Sequence, residues 1–193
     1  VCAVVVAAGS SRRMGGENKL LLPLCGKPVL AHTLTAFQMC GAVHDIVLVC
    51  REQDMEVYRT LAAENGITKL RTLTRGGDTR TESVLAGVSA ASEACALVAV
   101  HDGARPLVSD EVITQAVDEA AKTGAAAPVV PVKDSIKRIE NEKIAADVPR
   151  AQLLKCFQPD RAREQDAHEQ PRAHHGPAQH VQLLPHGGDE AQP

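Results

Sequence analysis

Apolar and polar positions fall in blocks along this chain, and the period changes from block to block. Residues 1–7 form a short continuous apolar run rich in valine, the pattern of a strand covered on both faces. Residues 45–50 and 96–100 repeat it, residues 69–74 are strand-like, and residues 125–132 return to strand. Helical spacing fills the intervals. Residues 28–40 carry apolar side chains at 29, 30, 34 and 37 behind a first-turn proline. Residues 54–65 are closed by Gly66, and residues 79–91 place Val84, Leu85 and Val88 on one face. Residues 109–122 are capped by Ser109 and ended by Gly124. This alternation predicts an α/β domain with a mainly parallel sheet and helices on both faces. Ligands of such sheets bind beyond the carboxyl ends of the strands. The three most polar, glycine-rich loops, 9–18, 75–80 and 101–106, all follow strands and are expected to meet on one edge. Residues 133–148 are charged and alternate around Ile136, Ile139 and Ile144, which predicts a hairpin projecting from the core.

Composition narrows the class without choosing a function. The 193 residues are enough for one domain with a proper core, and 44% hydrophobic with 23% charged residues is ordinary for a globular protein. A net charge of -3 gives no general attraction to nucleic acid or an anionic membrane. Aromatic content of 2%, with no tryptophan, argues against stacking platforms for single-stranded nucleic acid. No apolar run approaches the roughly 20 residues that span a bilayer, and the first residues lack the features of a signal peptide. Six scattered cysteines form no Cys-x-x-Cys pair, which fits small buried hydrophobes in a reducing, cytoplasmic setting.

The loops carry the candidate chemistry. Gly9-Ser10-Ser11-Arg12-Arg13-Met14-Gly15 follows a buried strand, so its backbone N–H groups can point at an anion. It is neither a Gly-x-Gly-x-x-Gly fingerprint nor a Walker loop. Its distinction is charge, since Arg12, Arg13 and Lys19 surround one glycine loop; a merely solvated basic loop is the alternative. In His101-Asp102-Gly103-Ala104-Arg105-Pro106, Asp102 stands at the carboxyl end of a central strand. A carboxylate there can hold Mg²⁺ together with substrate phosphates, or simply cap a polar turn. Arg105 offers a bidentate phosphate donor. In the third loop Gly76 and Gly77 free backbone groups for a base, while Asp78 or Thr79 can equally well cap the following helix. His32 and His44 have no acid or nucleophile partner by spacing, and no motif for acyl transfer or zinc hydrolysis occurs.

Four strings in order, VVVAAGSSRRMGGENKLLLPLCGKPVLAHTLTAF, GGDTRTESVLAG, HDGARP and PVKDSIKR…VPR, closely resemble the 2-C-methyl-D-erythritol 4-phosphate cytidylyltransferase family. The resemblance covers residues 1–157, and ribitol-5-phosphate cytidylyltransferases share most of the motifs. It implies a Rossmann-like nucleotidyltransferase fold that transfers a cytidylyl group from CTP to a sugar-alcohol phosphate in isoprenoid precursor synthesis, with Mg²⁺. It implies that Ala7, Ala8 and Gly9 line the CTP site by backbone, and that Arg13 and Lys19 bind the triphosphate. Gly77, Asp78 and Ser83 fall where the family places the cytosine and nucleotide, Asp102 at the metal and Arg105 at the acceptor. Ser135 and Arg150 lie on an arm, 133–150, that in the family reaches a second subunit and makes a homodimer. Two departures stand out: Lys19 lacks the proline often found before it, and the family's closing segments are absent after Phe157.

Beyond residue 157 the composition breaks. The last 37 residues hold five of the eight histidines, five prolines and six glutamines, but only three Val, Ile or Leu. Such a segment cannot bury enough apolar surface to offset its ordering entropy. Residues 158–193 are therefore expected to be a disordered tail, a His-rich metal tract, or the product of a shifted reading frame. The coincidence of composition break and lost resemblance favours the last. Resequencing the coding DNA is expected to uncover a longer in-frame continuation; a confirmed tail with no such continuation overturns the frameshift.

Overall fold

The computed structural model of the protein describes residues 1–9 and 17–156. The core is a four-stranded, all-parallel sheet. Its strands are β1 (Cys2–Val6), β4 (Asp45–Cys50), β5 (Leu70–Arg75) and β6 (Val98–Asp102). They lie side by side in the order β5-β4-β1-β6. Strand β1 pairs in register with β4 on one side, from Cys2↔Asp45 to Val6↔Val49. On the other it pairs with β6, from Cys2↔Val98 to Val6↔Asp102.

Alternation along β1 sorts its side chains to two faces. Ala3, Val5 and Ala7 join a cluster with Ile46, Leu48 and Cys50 of β4, and with Leu30, Leu34 and Phe37 of helix α1 (Val29–Met39). Tyr58 and Leu61 of α2 (Met55–Glu64) and Ile113 of α4 (Asp110–Thr123) complete it. Cys2, Val4, Val47 and Val49 face the other way, against Val88 of α3 (Arg80–Ser89) and the segment after it. Helices therefore cover both faces, as the alternation predicts. Ser109 caps α4 by accepting from Val112 N–H, and Gly124 ends it at φ 86°.

Helix α3 differs from its expected packing. Leu85 is 53% exposed, and the residues turned fully inward are Ser83 and Gly87. The reason is close approach: a Cβ on Gly87 would stand 2.3 Å from Val4 Cγ1 and 2.7 Å from Val49 Cγ2. A stripe of small residues lets this helix sit closer to the sheet than Leu85 would allow. Strand β6 runs two residues later than expected and is the edge strand of this sheet rather than a central one, so Asp102 is its last residue rather than part of the 101–106 loop.

Outside the sheet, a tight hairpin joins β2 (Pro23–Leu24) to β3 (Lys27–Pro28), turning at Cys25 and Gly26 with φ of 48° and 82°. The strand expected over 125–132 shrinks to β7 (Val129–Pro131), paired antiparallel with β10 (Leu154–Cys156). Between them stands the hairpin of β8 (Ile136–Glu140) and β9 (Lys143–Val148), with every residue of β8 exposed. Residues 157–193, the tail singled out by composition, lie outside the described residues.

Replacing Gly87 by alanine is expected to destabilise the fold by about 1–3 kcal/mol, because the methyl meets two packed valines. Urea denaturation of the variant against the parent measures it.

Candidate nucleotide site

The strand order places a switch point beside β1. The chain steps outward from β1 to β4 and β5, then returns to pair β6 with the other edge of β1. In an open parallel sheet the connecting segments part at such a point and leave a crevice at the carboxyl ends. Ala7-Ala8-Gly9 leave β1 there, Gly76 to Thr79 leave β5, and Gly103 to Pro106 leave β6. The loops after β5 and β6 meet the first residues of the loop after β1, Ala7 to Gly9, while residues 10–16 of that loop lie outside the described residues.

Backbone bonds extend each strand into its loop. Ala7 N–H donates to Val49 O at 2.7 Å, Gly76 N–H to Cys50 O at 2.9 Å, and Gly103 N–H to Val6 O at 2.8 Å. Two glycines make the fit possible. A Cβ on Gly76 would lie 2.4 Å from Ala8 Cβ and 2.8 Å from Ser83 Oγ, so the β5 loop rests directly on the β1 loop. At Gly103 a Cβ would crowd Val6 O and Leu30 Cδ1, both at 3.2 Å, and Thr33 of α1 donates to the Gly103 carbonyl at 2.8 Å.

The loop over 76–79 is held by a complete capping box. Thr79 Oγ1 accepts from Glu82 N–H, and the Glu82 carboxylate accepts from Thr79 N–H at 2.8 Å. Those bonds hold the Glu82 carboxyl below its ordinary range. Ser83 is buried, and its hydroxyl donates to Thr79 O at 3.0 Å and reaches Gly77 O at 3.4 Å. Thr79, not Asp78, is thus the cap, and Gly77 and Asp78 are left exposed at the loop's tip.

Asp102 is gripped by two guanidinium groups. Arg105 reaches Oδ2 through Nε and Nη2, both at 2.9 Å. Arg80 reaches Oδ1 through Nη2 at 3.0 Å and Nε at 3.3 Å. Burial alone would raise the Asp102 carboxyl, but the bonds and charges of Arg105 and Arg80 outweigh it and hold the group below its ordinary value. Arg80 is the functional residue that sequence reasoning missed. Its signal was a position in the first turn of a helix whose start faces the Asp102 strand end.

Of the remaining predicted residues, Lys19 is described and exposed, directly before buried Leu20. Arg13 lies outside the described residues. Ser135 and Arg150 form a second group at the foot of the β8–β9 hairpin, where Arg150 Nη1 donates to Lys133 O at 2.8 Å. Among the described residues, no hydrogen bond or ion pair joins either of them to the loop cluster.

Among the described residues, the crevice brings together the Asp102 carboxylate, the Arg80 and Arg105 guanidiniums, and backbone of the loops after β1, β5 and β6. The described residues contain no group of three or more His, Cys, Asp or Glu able to cage a metal. That suits a hard cation taking one carboxylate and completing its shell with water and ligand phosphates. Asp102 is anionic and oxygen-bearing, and its Arg80 partner is 65% exposed and free to rearrange, so the residues present fit such an ion.

This arrangement is that of an open α/β domain whose strand-end loops gather at a topological switch point. The chain belongs to the family described as "IspD: 2-C-methyl-D-erythritol 4-phosphate cytidylyltransferase", whose profile matches residues 1–189. It is 45% identical over 151 residues to the 2-C-methyl-D-erythritol 4-phosphate cytidylyltransferase of Halalkalibacterium halodurans, a match covering 78% of this chain and 66% of that protein. It is 41% identical over 160 residues to the enzyme of that name from Dehalococcoides mccartyi, covering 82% and 70%. The chain therefore spans about two thirds of the length of these curated relatives. Among solved structures it is similar to a 4-diphosphocytidyl-2C-methyl-D-erythritol synthase from Anaerococcus prevotii, at TM-score 0.71 and 25% identity over 80% of this chain and 67% of that one. The 2-C-methyl-D-erythritol 4-phosphate cytidylyltransferase of Thermus thermophilus matches at TM-score 0.58 and 29% identity, covering 81% and 68%.

On the reverse side of β6, His101 packs edge-on against Phe37, with ring centroids 5.0 Å apart. Its Nδ1 is buried without a hydrogen-bond partner among the described residues. Burial, helped by Arg105 and opposed by Asp102, pushes this imidazole down to about 4. Between its ordinary value of 6.5 and that lower one, the unfolded chain binds a proton that the folded chain refuses. Stability therefore rises with pH across this window and is lost as pH falls through it. Asp102, held low, pulls in the same direction at more acid pH. The urea midpoint is expected to fall between pH 7 and about pH 4, with a shallower fall in His101→Phe.

Proposed function

We propose that this chain transfers a cytidylyl group from CTP to 2-C-methyl-D-erythritol 4-phosphate and releases pyrophosphate. The observation that carries the reading is the meeting of the β1, β5 and β6 loops around Asp102 at the switch point, in a member of this family. Ala7, Ala8 and Gly9 line the nucleotide by backbone, and the Gly77-Asp78 tip receives the base and ribose, its shape set by Ser83. Arg13 and Lys19 take the triphosphate, and Arg105 turns a guanidinium towards the acceptor's phosphate. Ser135 and Arg150, at the foot of the hairpin, complete the acceptor side from a second copy in a homodimer; three exposed isoleucines, 136, 139 and 144, give the arm an apolar surface to bury.

The chemistry asks for little beyond placement. A phosphate oxygen of the acceptor attacks the α-phosphorus of CTP in line, the bond to the β-phosphate bridge breaks, and pyrophosphate carries the electron pair away. The nucleophile is already an anion, so no strong general base is needed. The protein's task is to bring two anions together and to meet the charge that builds between them. A divalent cation held by Asp102 and the phosphates would supply further neutralisation of the triphosphate. No described helix is long and apolar enough to cross a membrane, and a cytoplasmic setting accords with scattered free cysteines.

A pyrophosphate-release assay with CTP, Mg²⁺ and 2-C-methyl-D-erythritol 4-phosphate tests the reading, with ribitol 5-phosphate as the rival acceptor. Release is expected with the methylerythritol acceptor. The Arg13→Ala variant is expected to lose on the order of 10²–10³ in rate. Release only with ribitol 5-phosphate, or CTP binding without any release, overturns the reading.

A further inference from the structure

Lys19 is exposed, yet the backbone on either side of it is fixed. On one side Leu20 is buried at 4% exposure, and its carbonyl accepts from Leu30 N–H at 3.0 Å. On the other stands Asn18, which makes three separate contacts. Its carbonyl accepts from Leu21 N–H at 2.9 Å, closing a turn with Lys19 at its second position. Its side-chain Oδ1 accepts from Leu20 N–H at 3.1 Å, bracing the same turn from inside. Its Nδ2 donates to the hydroxyl of Tyr58 at 2.9 Å, forty residues further along the chain.

Tyr58 is the chain's single tyrosine and is fully buried, packed in the α1–α2 side of the core. A phenol in that position needs a partner for its hydroxyl. The partner found is the residue immediately before Lys19, whose amide spends its remaining groups on the turn that carries the lysine. The contact thus couples a core helix to the exit of the basic loop. Burial pushes the Tyr58 hydroxyl up to about 12, so it stays protonated and keeps a hydrogen-bonding geometry across the physiological range.

We propose that Asn18 and Tyr58 are a positioning pair for Lys19: the Tyr58 hydroxyl, bonded to the Asn18 amide, fixes the turn from which the lysine reaches the triphosphate of CTP. Tyr58 never touches the nucleotide; it acts through Asn18. The inference rests on the reading of Lys19 as a triphosphate contact. A charge-assisted bond from an ammonium on a flexible stem depends on where the stem is rooted. With the tether gone, the turn keeps its internal bonds but loses its seat on α2, and the root of Lys19 is no longer fixed.

Equilibrium dialysis with labelled CTP and Mg²⁺ tests this in four proteins: the parent, Tyr58→Phe, Lys19→Ala and the double variant. Tyr58→Phe removes one oxygen and is expected to weaken CTP about 3- to 10-fold, the scale of one hydrogen bond. In the Lys19→Ala background the same change is expected to cost almost nothing more, because coupled residues do not add. Asn18→Ser, which keeps an acceptor for Leu20 N–H but cannot reach Tyr58, is expected to match Tyr58→Phe. Equal losses in both backgrounds overturn the tether and leave Lys19 as a contact. A lowered melting temperature with unchanged CTP affinity also overturns it. Unchanged affinity in Lys19→Ala overturns the nucleotide role of the lysine, and the tether with it.

Discussion

Strand β1 is paired along both edges and covered on both faces, so nothing inside it can touch a ligand. Cys2, Ala3, Val4 and Val5 are each 0% exposed, and their amides and carbonyls belong to ladders with β4 and β6. Chemistry has to begin where that strand ends. The bonds from Ala7 N–H to Val49 O and from Gly103 N–H to Val6 O carry the ladders one step further, and the crevice opens beyond them. The rest of the site is fitted around this fixed edge. Gly76 admits the β5 loop against Ala8, Gly87 brings α3 close beneath, and Thr33 ties α1 to the β6 loop through the Gly103 carbonyl. Each contact is short and non-local, and each depends on a side chain that is small or absent.

That dependence explains what could be read from the chain alone. Strand β1, the order of helices and the Ser109 and Gly124 caps were legible, because period, capping chemistry and left-handed backbone are local properties. The convergence of the three loops was legible too, since it follows from parallel connectivity. The inward face of α3 was not. Val84, Leu85 and Val88 carry the stronger apolar signal, but Gly87 wins the buried place by allowing closer approach, and closeness is a property of the pair. The bonds from Arg80 to Asp102 and from Asn18 to Tyr58 were hidden for a like reason. Each spans 22 or 40 residues, and no spacing rule connects their ends. The family resemblance alone supplied the expected roles of Ser135 and Arg150, which the fold places at the hairpin foot and not at the loop cluster.

The two halves of the candidate site are built differently. The loop cluster is backbone and small residues on a buried sheet. The β8–β9 hairpin, proposed for the acceptor side, has turn residues Asn141 and Glu142 at φ of 48° and 62°, and β8 is exposed throughout. An isolated two-stranded ribbon is marginally stable in water. Exposed Ile139 and Ile144, at 65% and 68%, leave it with uncovered apolar surface among the described residues. The fold of a single copy thus holds the loop cluster in place, while β8 of the hairpin stays exposed among the described residues.

Asp102 lies within the loop cluster, and the asymmetry of its partners matters more than their number. Arg105 is 17% exposed and three residues away on the same loop, so its fork on Oδ2 is short-range, largely shielded and slow to give up. Arg80 is 65% exposed and comes from a different element, so its bond to Oδ1 is solvent-screened and of the kind that contributes little net stability. One oxygen of the carboxylate is thus committed to the fold, and the other is held at small cost. Both forks keep the group ionised, which matches the low pKa their charges impose. A cation arriving at the crevice would meet a carboxylate already charged and already oriented by Arg105. It has only the exposed contact to exchange, and the guanidinium released stays at the start of α3 beside the nucleotide loops.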